Sequence, residues 1–345
     1  MKSYLSIFIR FTSIVFIFVI GSSASYAQTF KIATLSPDGS VWMKKMREGA
    51  NVIEGKTEGR VKFKFYPGGV MGDDFSVLRK MRIKQLHGGA IAGGSLSRFY
   101  KDSQVYNLPL KFKTFEEVDY VRSQLDEKIK QGFEDGGIVT FGLAEGGFAY
   151  AMSKSPISSV SDLPKQKVWV PDNDKAALEI VRTYNIKPIP LPFADVLTGL
   201  QTGIIDTIAT SPIAAVALQW HTQIKHITDI PLIYFYAVLA IDKKTFDKLS
   251  TDDQKTVRMV MEDIFKELDA INRKDNIAAL EALKNRGIQV EKPAGESLQQ
   301  WYTLAEAASQ RLVDTGEISP ETLQVFEQHL AEFRKKGSAL TELQH

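Results

Sequence analysis

The segment Phe30-Lys31-Ile32-Ala33-Thr34-Leu35 alternates apolar and polar side chains over most of its length, as a half-buried strand does. It runs into Ser36-Pro37-Asp38-Gly39-Ser40, a turn that ends in a helix-capping residue. A helix follows, with Trp42, Met46 and Ala50 on one face. A second alternating run, Val61-Lys62-Phe63-Lys64-Phe65-Tyr66, completes a strand–helix–strand unit. This order predicts an α/β fold with a parallel sheet.

Two successive α/β units are visible along the chain, and the second begins near Ala149. Residues 234–241 are apolar on both faces and predict a buried strand that runs from one unit into the other. Long amphipathic helices over about 250–286 and 296–334 brace the two units. We expect a signal peptide at 1–27, a first lobe at 28–148 plus about 236–280, a second lobe at 149–235 plus about 281–335, and a flexible tail at 336–345.

The N-terminus has the features of a secretory signal. Lys2 and Arg10 precede an apolar run at 14–20, and the small residues Ser25 and Ala27 stand at the −3 and −1 positions of a cleavage site after Ala27. The alternative, a membrane anchor, needs roughly 20 apolar residues, and the run is interrupted sooner. We therefore expect a secreted, periplasmic protein.

Composition narrows the possible functions. The 345 residues include no cysteine, which excludes disulfides, thiolate metal sites and the lipidated cysteine of a lipoprotein. Lys2 and Arg10 fall in the signal, so 41 of the 43 basic residues remain to balance 41 acidic ones. This balance gives no electrostatic footprint for nucleic acid or for an anionic membrane surface.

Catalytic and cofactor motifs are weak. Gly55-Lys56-Thr57 follows a predicted helix, whereas a phosphate-binding loop precedes one. His221 and His226 are five residues apart and do not form the i, i+4 pair of a zinc site. Ser95 lacks the second glycine of a nucleophile elbow. We expect no catalytic residues, no metal and no cofactor.

Five segments together resemble the solute receptors of tripartite ATP-independent periplasmic (TRAP) transporters. The most specific, 66–74, is similar to the family's Y-P-x-x-x-L-G-[DE] segment, and the others follow in the family's order. These are 108–117, 155–171, 192–206 and 242–254. The resemblance covers nearly the whole mature chain. It implies a two-lobed, clamshell-like periplasmic-binding-protein fold with a hinge-crossing strand and C-terminal bracing helices.

The resemblance also implies a function without chemistry. A small molecule binds between the lobes, the hinge closes, and the closed form docks on integral membrane subunits driven by an ion gradient. Some receptors of this family work with a soluble helical-repeat protein, and the sequence leaves open whether one serves here. A periplasmic hydrolase and a ligand sensor on the same fold are the alternatives.

Two departures from the family pattern bear on the ligand. An arginine in the family's K-x-R-V-P strand forms a bidentate pair with a substrate carboxylate, and Trp169 stands at that position here. A second customary arginine is replaced by Ala149. We therefore predict a neutral, apolar or cationic ligand, with Asp172 or Asp174 as the counter-ion of a cation over the Trp169 ring. Core filling is the alternative role of Trp169.

Further candidate ligand contacts come from matching positions in the family pattern. The first lobe supplies the end of a glycine-rich strand, and the second supplies the residues after two other predicted strands. Ser211 has helix capping as its alternative role. The full set of candidates is Gly94, Ser95, Leu96, Ala149, Trp169, Asp172, Phe193, Thr210, Ser211, Tyr234 and Tyr236.

Overall fold

The computed structural model describes residues 27–172 and 174–342, with side chains as far as 337. The predicted signal peptide therefore lies outside the described residues, apart from Ala27. The strands are β1 (Gln28–Thr34), β2 (Val61–Tyr66), β3 (Gly88–Ala92), β4 (Ile138–Val139), β5 (Ala144–Ser153), β6 (Trp169–Pro171), β7 (Ile189–Leu191), β8 (Thr207–Thr210), β9 (His226–Thr228), β10 (Ile233–Asp242) and β11 (Gln289–Glu291).

Helices alternate with these strands and then dominate the C-terminal third. They are α1 (Val41–Lys56), α2 (Asp74–Arg82), α3 (Phe115–Asp135), α4 (Lys175–Thr183), α5 (Val196–Thr202), α6 (Pro212–Ala217), α7 (Lys243–Phe246), α8 (Thr251–Asn285), α9 (Gly295–Asp314) and α10 (Pro320–Glu342). Within the described ranges, no helix combines the length and the apolarity needed to span a bilayer.

The predicted β1–α1–β2 unit is confirmed. β1 and β2 pair in parallel, and Phe30 stacks on Phe63 with ring centroids 5.3 Å apart. The Ser40 hydroxyl accepts a hydrogen bond from the Met43 N–H at 3.2 Å, which satisfies one of the free donors at the start of α1. The apolar face of α1 then packs on the sheet because its buried side chains recur at helical spacing.

The main sheet has two halves. Its strand order is β11-β9-β5-β10-β3-β1-β2, with β4 also paired to β10 and β8 also paired to β5. We call β1, β2, β3, β4 and β10 the first half, and β8, β9 and β11 the second half. The separate pair β6–β7 joins the second half through a bridge between Val168 and Thr207.

Strand β5 connects the two halves. Its residues Ala144–Ala149 run antiparallel to β10, and Tyr150–Ser153 run antiparallel to β8. Residues 234–241, which the sequence predicts as the crossing strand, instead stay paired with β3, β4 and β5 inside the first half. The prediction missed β5 because its Gly146-Gly147 pair and small residues give a weak strand signal.

The C-terminal helices brace both halves. α8 packs on β5, on α1 and on α6, so it runs along both halves. α9 packs on α4, and α10 packs on α3. The predicted second lobe includes residues to about 335, yet α10 contacts a helix of the predicted first lobe. The predicted tail, 336–345, is helical as far as Glu342, because Gly337 costs a helix only about 1 kcal/mol and no proline follows it.

Candidate functional site

Asp74 and Ser95 lie together where β3 ends in the first half. Asp74 is the first residue of α2, and its Oδ2 accepts a hydrogen bond from the Ala92 N–H at 3.0 Å. Ser95 follows in the short 3-10 turn Gly93–Leu96. The Asp74 side chain is buried, and burial is the main reason that its pKa rises to about 6, although hydrogen bonds from Ala92 and Ser95 oppose the rise.

Asp174 lies at the corresponding place in the second half. It caps α4 directly after β6, and its Oδ1 accepts a hydrogen bond from the Ala177 N–H at 2.9 Å. Burial raises the pKa of Asp174, and the nearby Glu317 carboxylate adds to the rise. The charge of Asp174 in turn raises the pKa of Asp74. Burial is the larger cause of the raised pKa in both residues.

These three carboxyl groups have no cationic partner. Among the described residues, no lysine or arginine forms an ion pair with Asp74, Asp174 or Glu317. Buried carboxylates are ordinarily paired, because an uncompensated buried charge is costly. Backbone N–H groups, rather than cations, donate hydrogen bonds to Asp74 and Asp174.

Two hydroxyl groups end β8 in the second half. Thr210 and Ser211 are buried, with 7% and 5% of their surface exposed. Ser211 occupies the N-cap position of α6, but its side chain makes no capping hydrogen bond. Within the described part of the chain, neither hydroxyl has a hydrogen-bond partner. The capping role weighed for Ser211 is therefore not the one its side chain performs.

Trp169 lies in the core of the second half. Its indole N–H donates to the Leu191 carbonyl at 3.0 Å, and its ring meets those of Phe193 and Trp220 at centroid distances of 6.1 and 5.5 Å. Only 7% of Trp169 is exposed, whereas Phe193 is half-buried. The core-filling role of Trp169 is thus present, and Phe193 is the more accessible of this pair.

The remaining candidates divide between core and surface. Gly94 and Asp172 are half-buried, and Ala149 is fully buried on β5. The Leu96 side chain belongs to the apolar core. A Cβ on Gly93 would lie 2.2 Å from the Tyr236 ring, which shows how tightly that ring is packed beneath the 3-10 turn.

The predicted pocket residues Tyr234 and Tyr236 are buried in the apolar core of the first half. The Tyr236 hydroxyl donates to the Ser103 carbonyl at 2.9 Å. The Tyr234 hydroxyl accepts from Arg122 at 3.0 Å and donates to Glu145 at 3.3 Å. The two residues alternate with the less buried Ile233, Phe235 and Ala237, so both lie on the inward face of this end of β10.

Asp74 is not among the ligand contacts predicted from the sequence. In Gly72-Asp73-Asp74, Asp73 supplies the cap of α2 by accepting from the Ser76 N–H at 2.8 Å, so Asp74 is not needed for that task. Two surface depressions, of about 540 and 470 Å³, lie along α9 and contain none of the predicted site residues.

Among the described residues, no histidine side chain forms a hydrogen bond with the Ser95 or Ser211 hydroxyl, so neither serine has the imidazole partner of a serine hydrolase. Within the part of the chain that the structure describes, no three histidine, cysteine, aspartate or glutamate side chains are grouped so as to hold a metal ion. What the arrangement offers is hydrogen-bonding groups from both halves of a two-part molecule.

The chain is similar to known bacterial solute-binding proteins. Residues 32–315 match the family model of the bacterial extracellular solute-binding protein, family 7. The solute-binding protein RD1_1052 of Roseobacter denitrificans is 26% identical over 69% of this chain and 74% of its own length. The sialic acid-binding periplasmic protein SiaP of Vibrio cholerae is 22% identical over 79% of this chain and 85% of its own.

A solved structure shows the same fold. The sugar acid binding protein DctPAm from Advenella mimigardefordensis, in complex with galactonate, superposes with a TM-score of 0.80 at 20% identity, covering 89% of this chain and 99% of that one. The α/β periplasmic-binding-protein fold is thereby confirmed. Proteins of the matching family are periplasmic binding proteins rather than enzymes, which removes the hydrolase alternative. The chain belongs to extracellular solute-binding protein family 7, the extracytoplasmic solute receptors of TRAP transporters.

Proposed function

We propose that this receptor captures a polar ligand that is neutral or cationic, between the two halves of the molecule, rather than a simple carboxylate. The observations that carry the proposal are that Asp74 and Asp174, from different halves, accept hydrogen bonds from backbone N–H groups and form no ion pair with a lysine or arginine among the described residues. A ligand with an ammonium group or several hydroxyl donors would satisfy both carboxyl groups. A bare anion would meet like charges, which repel by about 4 kcal/mol at 4 Å in a partly buried setting.

Two arginines beside β5 support the same conclusion. Arg122 forms ion pairs with Asp126 at 2.9 Å and with Asp269 at 3.0 Å. Arg273 forms ion pairs with Asp119 at 2.7 Å and with Glu145 at 2.5 Å. Their guanidinium groups are already matched to carboxylates of the protein.

The ligand-facing positions follow from the same geometry. Ser95 in the first half and Thr210 and Ser211 in the second supply hydroxyl groups, and Phe193 supplies an aromatic surface. Trp169 and Ala149 stand where the family resemblance expects arginines. We propose that Trp169 shapes the site from the core beneath Phe193 rather than by covering the ligand directly.

Relatives that bind acidic ligands can be compared with this chain. The name of the Vibrio cholerae relative states sialic acid binding, and the Advenella structure contains galactonate, so both bind acids. The lack of arginine at positions 149 and 169 distinguishes this chain from the pattern that the family resemblance associates with acids.

The proposed mechanism is closure about the crossing strand β5. Its pairing changes between Ala149 and Tyr150, next to the predicted lobe boundary at 148 and 149. TRAP receptors bind a small ligand and work with membrane subunits. Ligand contacts with both halves favour the closed form, and that form delivers the ligand to those subunits.

Cleavage of the signal peptide after Ala27 would leave Gln28 as the first residue of the mature protein. Measurement of the intact mass of the periplasmic protein tests this prediction.

The test of ligand charge uses three sugars of one stereochemistry. Native mass spectrometry of protein purified without denaturation first identifies any retained small molecule. Thermal-shift titrations then compare D-galactose with D-galactosamine, which has an ammonium group at C2, and with D-galacturonate, which has a carboxylate at C6. We expect galacturonate to give the smallest stabilisation of the three. Strong stabilisation by galacturonate that persists in the variant Asp74→Asn would refute the proposal.

A further inference from the structure

The side chain of Asn276, on α8, connects the crossing strand β5 to residues 211–213 at the start of α6. It is 4% exposed, and its amide group makes hydrogen bonds on both sides. The Nδ2 group donates to the Gly146 carbonyl and to the Asn272 carbonyl, each at 3.1 Å. The Oδ1 atom accepts from the Ile213 N–H at 3.3 Å. One buried amide therefore touches β5, α8 and the start of α6.

The strand is irregular at the contact point. Its register with β10 shifts between Phe235 and Tyr236, opposite Gly146. Gly147 has φ +83°, a left-handed conformation that favours glycine, and a Cβ there would lie 2.6 Å from the Asn276 Nδ2 atom. The bulge thus presents the Gly146 carbonyl to Asn276, three residues before the pairing of β5 changes at Ala149.

On the other side, Asn276 performs the task that Ser211 leaves undone. Ser211 is the N-cap residue of α6, Pro212 follows at N1, and Ile213 is N2. A capping serine normally accepts from the N–H of N2 or N3, and the Ser211 side chain does not. The Asn276 Oδ1 atom, 63 residues away in sequence, accepts from the N2 N–H instead. The Ser211 hydroxyl is therefore left without an intramolecular role.

We propose that Asn276 is a positioning residue: it caps α6 in place of Ser211, which leaves that hydroxyl for the ligand, and it ties this segment to the Gly146–Gly147 bulge about which the halves move. The inference rests on the proposed function only in taking Ser211 as a ligand contact. The coupling itself is a property of the ligand-free protein. Failure to find a ligand is therefore distinct from failure of the coupling.

The test compares three variants by hydrogen-exchange mass spectrometry without ligand. Asn276→Ala removes both sets of bonds, so exchange should accelerate about two- to tenfold in 144–149 and in 211–216, as expected for the loss of one buried hydrogen bond in each. Asn276→Asp keeps the acceptor and loses the donor, so only 144–149 should accelerate. Asn272→Ala is the matched control, since it loses one bond to the Glu145 carbonyl at 2.9 Å and none to α6.

A distance measurement follows the movement of the halves. The chain has no cysteine, so Val52→Cys and Ile204→Cys, at exposed positions in the two halves, accept spin labels specifically. In ligand-free protein, Asn276→Ala should broaden the distance distribution between the labels, and Asn272→Ala should leave it closer to the parent. An unchanged distribution together with unchanged exchange in 211–216 would overturn the proposal, as would Asn272→Ala reproducing every effect.

A double-mutant cycle isolates the released hydroxyl. Ser211→Ala alone should leave exchange in 211–216 within twofold of the parent. In the Asn276→Ala background the Ser211 hydroxyl becomes the available cap, so adding Ser211→Ala should accelerate exchange a further two- to fivefold. Strict additivity of the two substitutions would show that Asn276 does not replace the Ser211 cap.

If Asn276→Ala does not fold, the same cycle can be made with Asn276→Asp. This variant keeps the acceptor that caps α6, so its effect on exchange and that of Ser211→Ala should be additive. Non-additivity in that cycle would contradict the proposal.

Discussion

Two acidic regions of this protein contrast in their partners. Beside the crossing strand, four carboxylates are matched to the guanidinium groups of Arg122 and Arg273. Asp74 at the start of α2 and Asp174 at the cap of α4 form no ion pair with a lysine or arginine among the described residues. The first arrangement is complete and holds the fold. The second is incomplete and retains binding capacity for a proton, an ammonium group or hydroxyl donors.

The largest effect is expected from a substitution of Arg122 in the paired region. Because Arg122 pairs with Asp126 and Asp269 and donates to the Tyr234 hydroxyl, Arg122→Met leaves these buried groups uncompensated. We expect the free energy of unfolding to fall by about 3–5 kcal/mol, measured by urea denaturation. A loss below about 1 kcal/mol would mean that the paired region does not hold the fold.

The next largest effect on the free energy of unfolding is expected from a substitution in the crossing strand β5. Gly147→Ala introduces a Cβ 2.6 Å from the Asn276 amide in a left-handed conformation, so it should cost about 2–3 kcal/mol in unfolding free energy. Gly137→Ala is the matched control, because Gly137 has φ +96° and nothing within 4 Å of the added atom. Its cost should be about 1 kcal/mol. Equal costs would show that the contact with Asn276 is not tight.

The pH dependence of stability tests the unpaired region. The folded pKa of Asp74, about 6, lies above its unfolded value of 3.8, so protonation favours the folded state and stability falls as pH rises through this window. Between pH 5 and pH 8 the wild type should lose about 1.4 kcal/mol through this group. Asp74→Asn should abolish that part of the loss, as followed by urea denaturation at each pH. Parallel pH profiles for the two proteins would exclude an abnormal Asp74.

The smallest effect concerns a hydroxyl without a structural role. Ser211→Ala should change the unfolding free energy by less than about 0.5 kcal/mol, because the side chain makes no capping bond. Ser40→Ala, at the true cap of α1, should cost about 1 kcal/mol. Thermal unfolding of the two variants beside the wild type measures both. A loss at Ser211 as large as that at Ser40 would make it structural.

Local sequence signals predicted the parts of the fold that depend on nearby residues. The β1–α1–β2 unit and the cap at Ser40 were correct. The crossing strand was missed because glycine and alanine carry little strand propensity. The sequence did not predict how deeply each candidate site residue is buried, and Tyr234 and Tyr236 lie in the apolar core.

The sequence alone was sufficient for the α/β class and the family, because strand alternation, helix caps and motif order are local properties of the chain. The tertiary structure was needed for the site. Asp74 and Asp174 are 100 positions apart, and their carboxyl groups interact only after the two halves approach each other. Likewise, Ser211 looks like a helix cap until α8 brings Asn276 to the Ile213 N–H. Burial and pairing depend on distant contacts, which no local pattern records.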